Sequence, residues 1–163
     1  MSQMSIDWSK HHRFMPRPGW CGPTTIWMVL DAVGIKKNIN KIAKKVWKKW
    51  YGTPPQLMAA YLAKYFGEVG YEVNSRITDI EWHLGLGRIV IVNWMDRGEG
   101  HYSIVSGYNG DLLTMIDSSR ERNWSNYMED NIFAQNWYDY LAENKRLRVD
   151  GLLIWVNPKS VKP

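Results

Sequence analysis

Two stretches decide the fold: WCGPTTIWMVLDAVG, residues 20–34, and GHYSIVSGYNGDLLTMID, residues 100–117. In the first, Ile26, Val29, Leu30 and Val33 recur at helical spacing, and Trp27 and Met28 widen the apolar face. Pro23 suits a first helical turn, where its missing N–H costs nothing, and Gly34 suits the stop. Upstream, Pro16, Pro18 and Gly19 bar a helix. Cys21, the one cysteine, therefore falls at the N-terminus of a helix. In the second stretch, His101 to Tyr108 reads as a strand. Asn109-Gly110 is a strong two-residue hairpin signal, and Asp111 to Asp117 returns. Such a turn leaves His101 and Asp117 almost opposite each other, with Cβ atoms about 5 Å apart.

Outward from these anchors, Ile39, Ile42, Ala43, Val46, Trp47 and Trp50 share one face of a helix over 39–50. A third helix is expected over 54–66, with Thr53 as its cap and Leu57, Met58, Tyr61, Leu62 and Tyr65 inward. A strand over 71–75, a helix over 78–86 capped by Thr78 and a strand over 88–94 follow. The Ile/Val run of that strand suits a central position buried on both faces. Residues 96–100 read as a polar loop. Residues 127–144 read as one or two short helices, and 147–156 as a last strand broken near Gly151. The fold class is α+β: helices first, then a mainly antiparallel sheet. Residues 1–163 form one domain, with 1–19 an irregular arm and 157–163 a tail.

Composition narrows the function. At 45% hydrophobic and 23% charged, the chain is globular and not disordered. No apolar run approaches the ~20 residues of a membrane span, and the first dozen residues hold no apolar core of a secretory signal. A cytoplasmic setting is expected. One cysteine excludes an intrachain disulfide and a multi-cysteine zinc site. Asp79 and His83 stand at i and i+4, but no second pair accompanies them, so neither metal nor cofactor is implied. The net charge of +5 is uneven. Lys36, Lys37, Lys41, Lys44, Lys45, Lys48 and Lys49 fall in one segment free of acids, and the rest of the chain is net acidic. Such a face is usually solvated surface, and as an exception it grips an acidic partner.

A lone cysteine is most often a small buried hydrophobe. As a nucleophile it works as a thiolate, which a helix N-terminus and a neighbouring imidazolium favour. The N–H groups of that helix start would also face an oxyanion formed beside the sulfur. His101 at a strand end is the candidate base, and Asp117 the group that holds its tautomer. Trp20, Asn93, Trp94 and Gly100 are candidates for the cleft.

The Trp20-Cys21-Gly22-Pro23-Thr24-Thr25 segment resembles the nucleophile segment of C39-like cysteine peptidases, papain-fold enzymes that include bacteriocin-leader peptidases. Gly100-His101-Tyr102-Ser103-Ile104-Val105-Ser106-Gly107-Tyr108 is similar to their histidine strand, and Asp117 fits their acidic partner. Gly52-Thr53-Pro54-Pro55 and Gly87-Arg88-Ile89-Val90-Ile91-Val92 look similar too. The resemblance covers about Trp20 to Val156. It implies a papain-like fold and a peptidase acting on a peptide or protein through Cys21, His101 and Asp117. Two positions depart from the pattern. Met15 stands where the family places a glutamine that completes the oxyanion hole, and Ser118 follows Asp117 where proline is common. The alternatives are a papain-fold binding protein with weak or no catalysis, and an accessory protein holding an acidic partner on its lysine face.

Overall fold

A computed structural model describes residues 5–141 and 147–163. Three helices come first: α1 (Cys21–Ala32), α2 (Ile39–Val46) and α3 (Pro55–Leu62). Strand β1 (Val69–Glu72), helix α4 (Ile77–Gly85) and strands β2 (Ile89–Asp96), β3 (Glu99–Tyr108), β4 (Leu112–Ile116) and β5 (Ser125–Glu129) follow. Helix α5 (Asp130–Asn136) and strands β6 (Tyr138–Tyr140), β7 (Arg148–Asp150) and β8 (Leu153–Val156) complete the order. Six strands form one antiparallel sheet in the order β1-β8-β2-β3-β4-β5, and β6 and β7 pair separately.

Strand β2 is central because both its faces are apolar. Ile89 and Ile91 join the core formed with α1, α2 and α3, where Ile26, Leu30, Ile42 and Met58 are fully buried. Val90, Val92 and Trp94 point to the opposite core, closed by Ile80 of α4 and Phe133 of α5. The N-terminal arm is not loose: its short 3-10 turn (Trp8–Lys10) buries Trp8 in the first core.

Several expected boundaries move, each for a local reason. Helix α2 stops at Val46, and the chain doubles back in a loop closed by reciprocal Lys48–Gly52 backbone bonds of 2.8 Å. Trp50, expected on the inner face, is therefore 87% exposed with φ 71°. Helix α3 is capped by Pro54 with no side-chain bond, not by Thr53. Helix α4 starts at Ile77, before Thr78. Asp79 takes the Arg76 N–H at 2.7 Å and fixes that start. The span 96–100 is a tight hairpin and not a loop. Asp96 pairs with Glu99, and Arg97 and Gly98 have φ 51° and 82°, the type I′ pattern. Residues 127–129 and 138–140, expected within helices, belong to strands β5 and β6, flanking α5. The rest of the expected helical span, 142–144, lies outside the described residues. The last strand does break at Gly151, whose φ of 60° turns the chain between β7 and β8. No helix among the described residues is long and apolar enough to cross a membrane.

Candidate active site at the start of α1

Helix α1 opens on Cys21, and its N-cap, Trp20, offers no side-chain acceptor. The Cys21 and Gly22 N–H groups fall in the first turn, where no intrahelical partner is available, and Cys21 is half-buried. Thr25 Oγ1 donates to the Cys21 carbonyl at 2.7 Å and holds this turn. Gly22 is required by packing: a Cβ there would overlap the side chain of Thr53. The Tyr102 hydroxyl donates to the Thr53 carbonyl at 2.7 Å, so the segment before α3 is tied to β3 as well as packed on α1.

His101 sits near the start of β3, paired with Trp94 of β2. Its Nε2 lies 2.9 Å from Asp117 Oδ1. A carboxylate only accepts, so Nε2 carries the hydrogen. Nδ1 is the ring nitrogen left for Cys21, whose hydrogen bonding and charge act to raise the pKa of the ring. Burial alone would lower the imidazole pKa. The hydrogen bonds and negative charges of Asp117 and Cys21 outweigh it, and the pKa is pushed up to about 10. Asp117 is 2% exposed, and burial would raise its pKa. The hydrogen bond and charge of His101, with donors from Ser119 N at 2.8 Å and Ser103 Oγ at 3.1 Å, instead hold it below the ordinary carboxylate value.

His101 and Asp117 meet by a different register from the one the turn suggests. Tyr108 pairs with Leu113, so the connection has four residues, closed by Asn109 Oδ1 accepting the Asp111 and Leu112 N–H groups at 3.0 and 2.8 Å. A bulge between Val105 and Gly107 takes back one residue. The register places Ser103, not His101, across from Asp117, and His101 reaches the carboxylate diagonally. Diagonal neighbours on one face remain within side-chain reach.

Two residues of this cluster were missed by sequence reasoning. Ser103 donates to Asp117 and accepts the Trp94 Nε1–H at 3.0 Å. Its place two residues after His101, on the same strand face, was the available signal. His12 Nε2 lies 2.6 Å from the Asp117 carbonyl oxygen, so it donates. Burial lowers its pKa, which favours the neutral ring. Only the fold-back of the arm brings it there, and no local pattern carries that.

A groove crosses the site in two arms that share Gly19, Glu99 and Gly100. One arm, about 360 Å³, holds Cys21 with Trp47, Trp50, Tyr51, Thr53 and Asn93. The other, about 420 Å³, holds His101 with Met15, Arg17, Arg97 and Arg120. Of the cleft candidates, Asn93 and Gly100 line the groove. Trp20 is buried and packs on Trp47, and Trp94 is buried edge-on to His101. Thr53 Oγ1 and Asn93 Oδ1 are buried without hydrogen-bond partners among the described residues. Met15 occupies the arm beside His101, its N–H donating to the Ser118 carbonyl at 2.8 Å. A larger hollow of about 810 Å³ between the N-terminal arm and α4 contains none of Cys21, His101 and Asp117. His83 is held by Glu72 at 2.6 Å and Arg88 at 2.9 Å, and Asp79 caps α4, so these two are engaged separately. Among the described residues no group of three or more His, Cys, Asp or Glu could hold a metal.

Solved structures share this architecture at low identity. The peptidase domain of Streptococcus ComA, a bi-functional ABC transporter involved in a quorum-sensing pathway, matches at TM-score 0.68 and 17% identity, over 88% of this chain and 96% of that one. A double glycine motif protease from an AMS/PCAT transporter, solved with its leader peptide, matches at TM-score 0.63 and 10% identity, over 90% and 91%. A Bacillus anthracis protein described as a C39-like peptidase matches at TM-score 0.62 and 12% identity, over 96% and 98%. These likenesses establish a shared papain-like fold. No curated protein sequence matches. The model of the Peptidase C39 like family matches residues 1–143, which covers the cysteine helix, the histidine strand and Asp117. By that match, this chain belongs to the C39-like peptidase family.

Proposed function

We propose that this protein is a cysteine peptidase, or a closely related acyl-transfer hydrolase, acting on a peptide or amide bond. The observation that carries the reading is the His101–Asp117 hydrogen bond of 2.9 Å, and Cys21 is among the groups that raise the pKa of the ring. The Cys21 sulfur attacks the carbonyl carbon, its proton held by His101 Nδ1. The oxyanion of the tetrahedral intermediate accepts hydrogen bonds from the first N–H groups of α1. The carbon–nitrogen bond breaks, the nitrogen takes the proton from His101, and a thioester remains on Cys21. Water then attacks the thioester as His101 takes its proton, and the acid leaves as the thiol is restored. Asp117 keeps the ring oriented throughout. A similar fold solved with a leader peptide supports a polypeptide in the groove.

A mixture of unstructured peptides incubated with the full chain, read by mass spectrometry, tests this. The wild type should release fragments, and Cys21→Ala should release none. Equal cleavage by both would contradict the assignment. One residue favours a second reading, a papain-fold binding protein with weak or no catalysis. Met15 cannot donate to an oxyanion, and losing one such donor costs roughly 10²–10³ in turnover. Under that reading, peptides are retained by the wild type and by Cys21→Ala and neither cuts them.

A further inference from the structure

The groove is asymmetric, and its asymmetry has a chemical direction. This inference rests on the reading of Cys21 as nucleophile and His101 as proton donor. The acyl group stays on Cys21, and for a peptide it is the part N-terminal to the bond. The leaving amine takes its proton from His101. The arm holding Cys21 is therefore the acyl arm, and the arm holding His101 takes the C-terminal part.

The acyl arm runs into the lysine face of the molecule. One of its walls is the loop from Trp47 to Thr53, which continues directly from α2. Lys41, Lys44 and Lys45 share the exposed side of α2, and Lys48 and Lys49 are exposed in the loop that follows it. Helix α2 carries no acidic residue. Among the described residues none of these five lysines enters an ion pair; the paired lysines are Lys10 and Lys36. At the junction between this face and the groove stands Trp50, 87% exposed, with left-handed φ and the Lys49 ammonium 5.2 Å from its ring centre. Its ring offers a chain entering the groove from this face a large aromatic surface to lie against. Thr53 and Asn93 also line this arm, with Thr53 packed against Gly22 of the Cys21 helix.

We propose that the substrate is a polypeptide with an acidic stretch N-terminal to the bond cut. The stretch docks on Lys41, Lys44, Lys45, Lys48 and Lys49, and the chain passes over Trp50 into the acyl arm. An acidic polypeptide is favoured over a nucleic acid or a lipid surface because the patch leads into a groove built for an extended chain and ends at Cys21.

Protection of Cys21 from iodoacetamide tests this without requiring turnover. Two peptides serve as probes: eight glutamates followed by Leu-Val-Ala-Ala, and the same composition with Leu-Val-Ala-Ala first. At low salt the first should slow alkylation by about tenfold, and the second should not. The protection should shrink as salt is raised past about 0.5 M, where the Debye length falls to a few ångströms. The variant Lys44→Gln/Lys45→Gln/Lys48→Gln/Lys49→Gln should lose most of the protection, because exposed charge pairs add only in numbers. Its unprotected alkylation rate should match the wild type, since these side chains lie outside the site. Equal protection by both peptides, or full protection in the lysine variant, would overturn the proposal. So would anionic vesicles or DNA binding the lysine face while the first peptide leaves Cys21 unprotected. Failure of the underlying reading shows separately, as an unprotected alkylation rate that His101→Ala leaves unchanged.

Discussion

His101 is 7% exposed, with a carboxylate on one ring nitrogen and Cys21 among the groups that raise its pKa. Cys21, His101 and Asp117 were all legible as candidates, because a helix start, a strand end and a hairpin partner are local patterns. Their supports were less so. Ser103 and Trp94 form a relay of hydrogen bonds behind Asp117, and Trp94 was expected in the cleft because it ends an apolar strand. The indole instead spends its N–H on Ser103 and is buried. Met15 is the residue at which the proposed catalysis is most open to change. Its side chain borders the His101 arm, and its backbone is fixed by Ser118 and by Arg120 Nε at 3.1 Å. A glutamine there would have an amide to offer the oxyanion. Met15→Gln should raise kcat by about tenfold, below the roughly 10²–10³ range for removing a native donor. Steady-state kinetics on any peptide the wild type cleaves would check it, and an unchanged kcat would place the oxyanion out of its reach.

At the scale of elements, the hairpins show where sequence signals compete. Asn109-Gly110 is the stronger motif, yet the two-residue type I′ turn forms at Arg97-Gly98. The Asn109 side chain accepts two N–H groups and so stabilises a wider connection instead. The helices behave similarly. Helical periodicity continues past Val46, but the tight Lys48–Gly52 closure ends α2, and no pattern of apolar residues reports a loop held by backbone bonds. That loop matters because it walls the groove arm that holds Cys21 and packs on α1 at Gly22. Gly22→Ala would drive a methyl into Thr53 and push the wall away from the helix that carries Cys21. A stability loss of about 1–3 kcal/mol is expected in chemical denaturation. It should come with a larger loss in kcat/KM than a comparably destabilising core substitution causes. Equal losses would mean that the wall does not depend on this contact.

For the whole molecule, the order of helices and sheet was readable because β2 is apolar on both faces and the helices are amphipathic. The arm was not. Trp8 enters the main core, and His12 reaches the Asp117 carbonyl, across nearly the full sequence distance between the two ends of the site. Contacts of that range leave no period in the chain. The buried pair also couples global stability to pH. With the His101 pKa raised from 6.5 to about 10, the folded state holds a proton that the unfolded state releases. That stability is complete below about pH 6.5 and is lost as pH rises toward 10, by at most about 1.4 kcal/mol per pH unit. Asp117 acts in the opposite sense, since its lowered pKa gives stability present above about pH 4 and lost as pH falls. Denaturation midpoints followed from pH 6 to 10 should decline in the wild type and decline less in His101→Gln. Parallel profiles would show that the histidine does not hold its proton in the folded state.

The pairing of Cys21 with His101 is the claim on which the rest stands, and its most direct test is the rate of Cys21 alkylation by iodoacetamide at pH 6 in the full chain. An ordinary thiol, with pKa near 8.5, is less than about 1% thiolate at that pH and reacts slowly. A thiolate stabilised by an imidazolium should react at least about tenfold faster in the wild type than in His101→Ala. Slow reaction at the same rate in both proteins would leave the fold without its nucleophile and contradict the account.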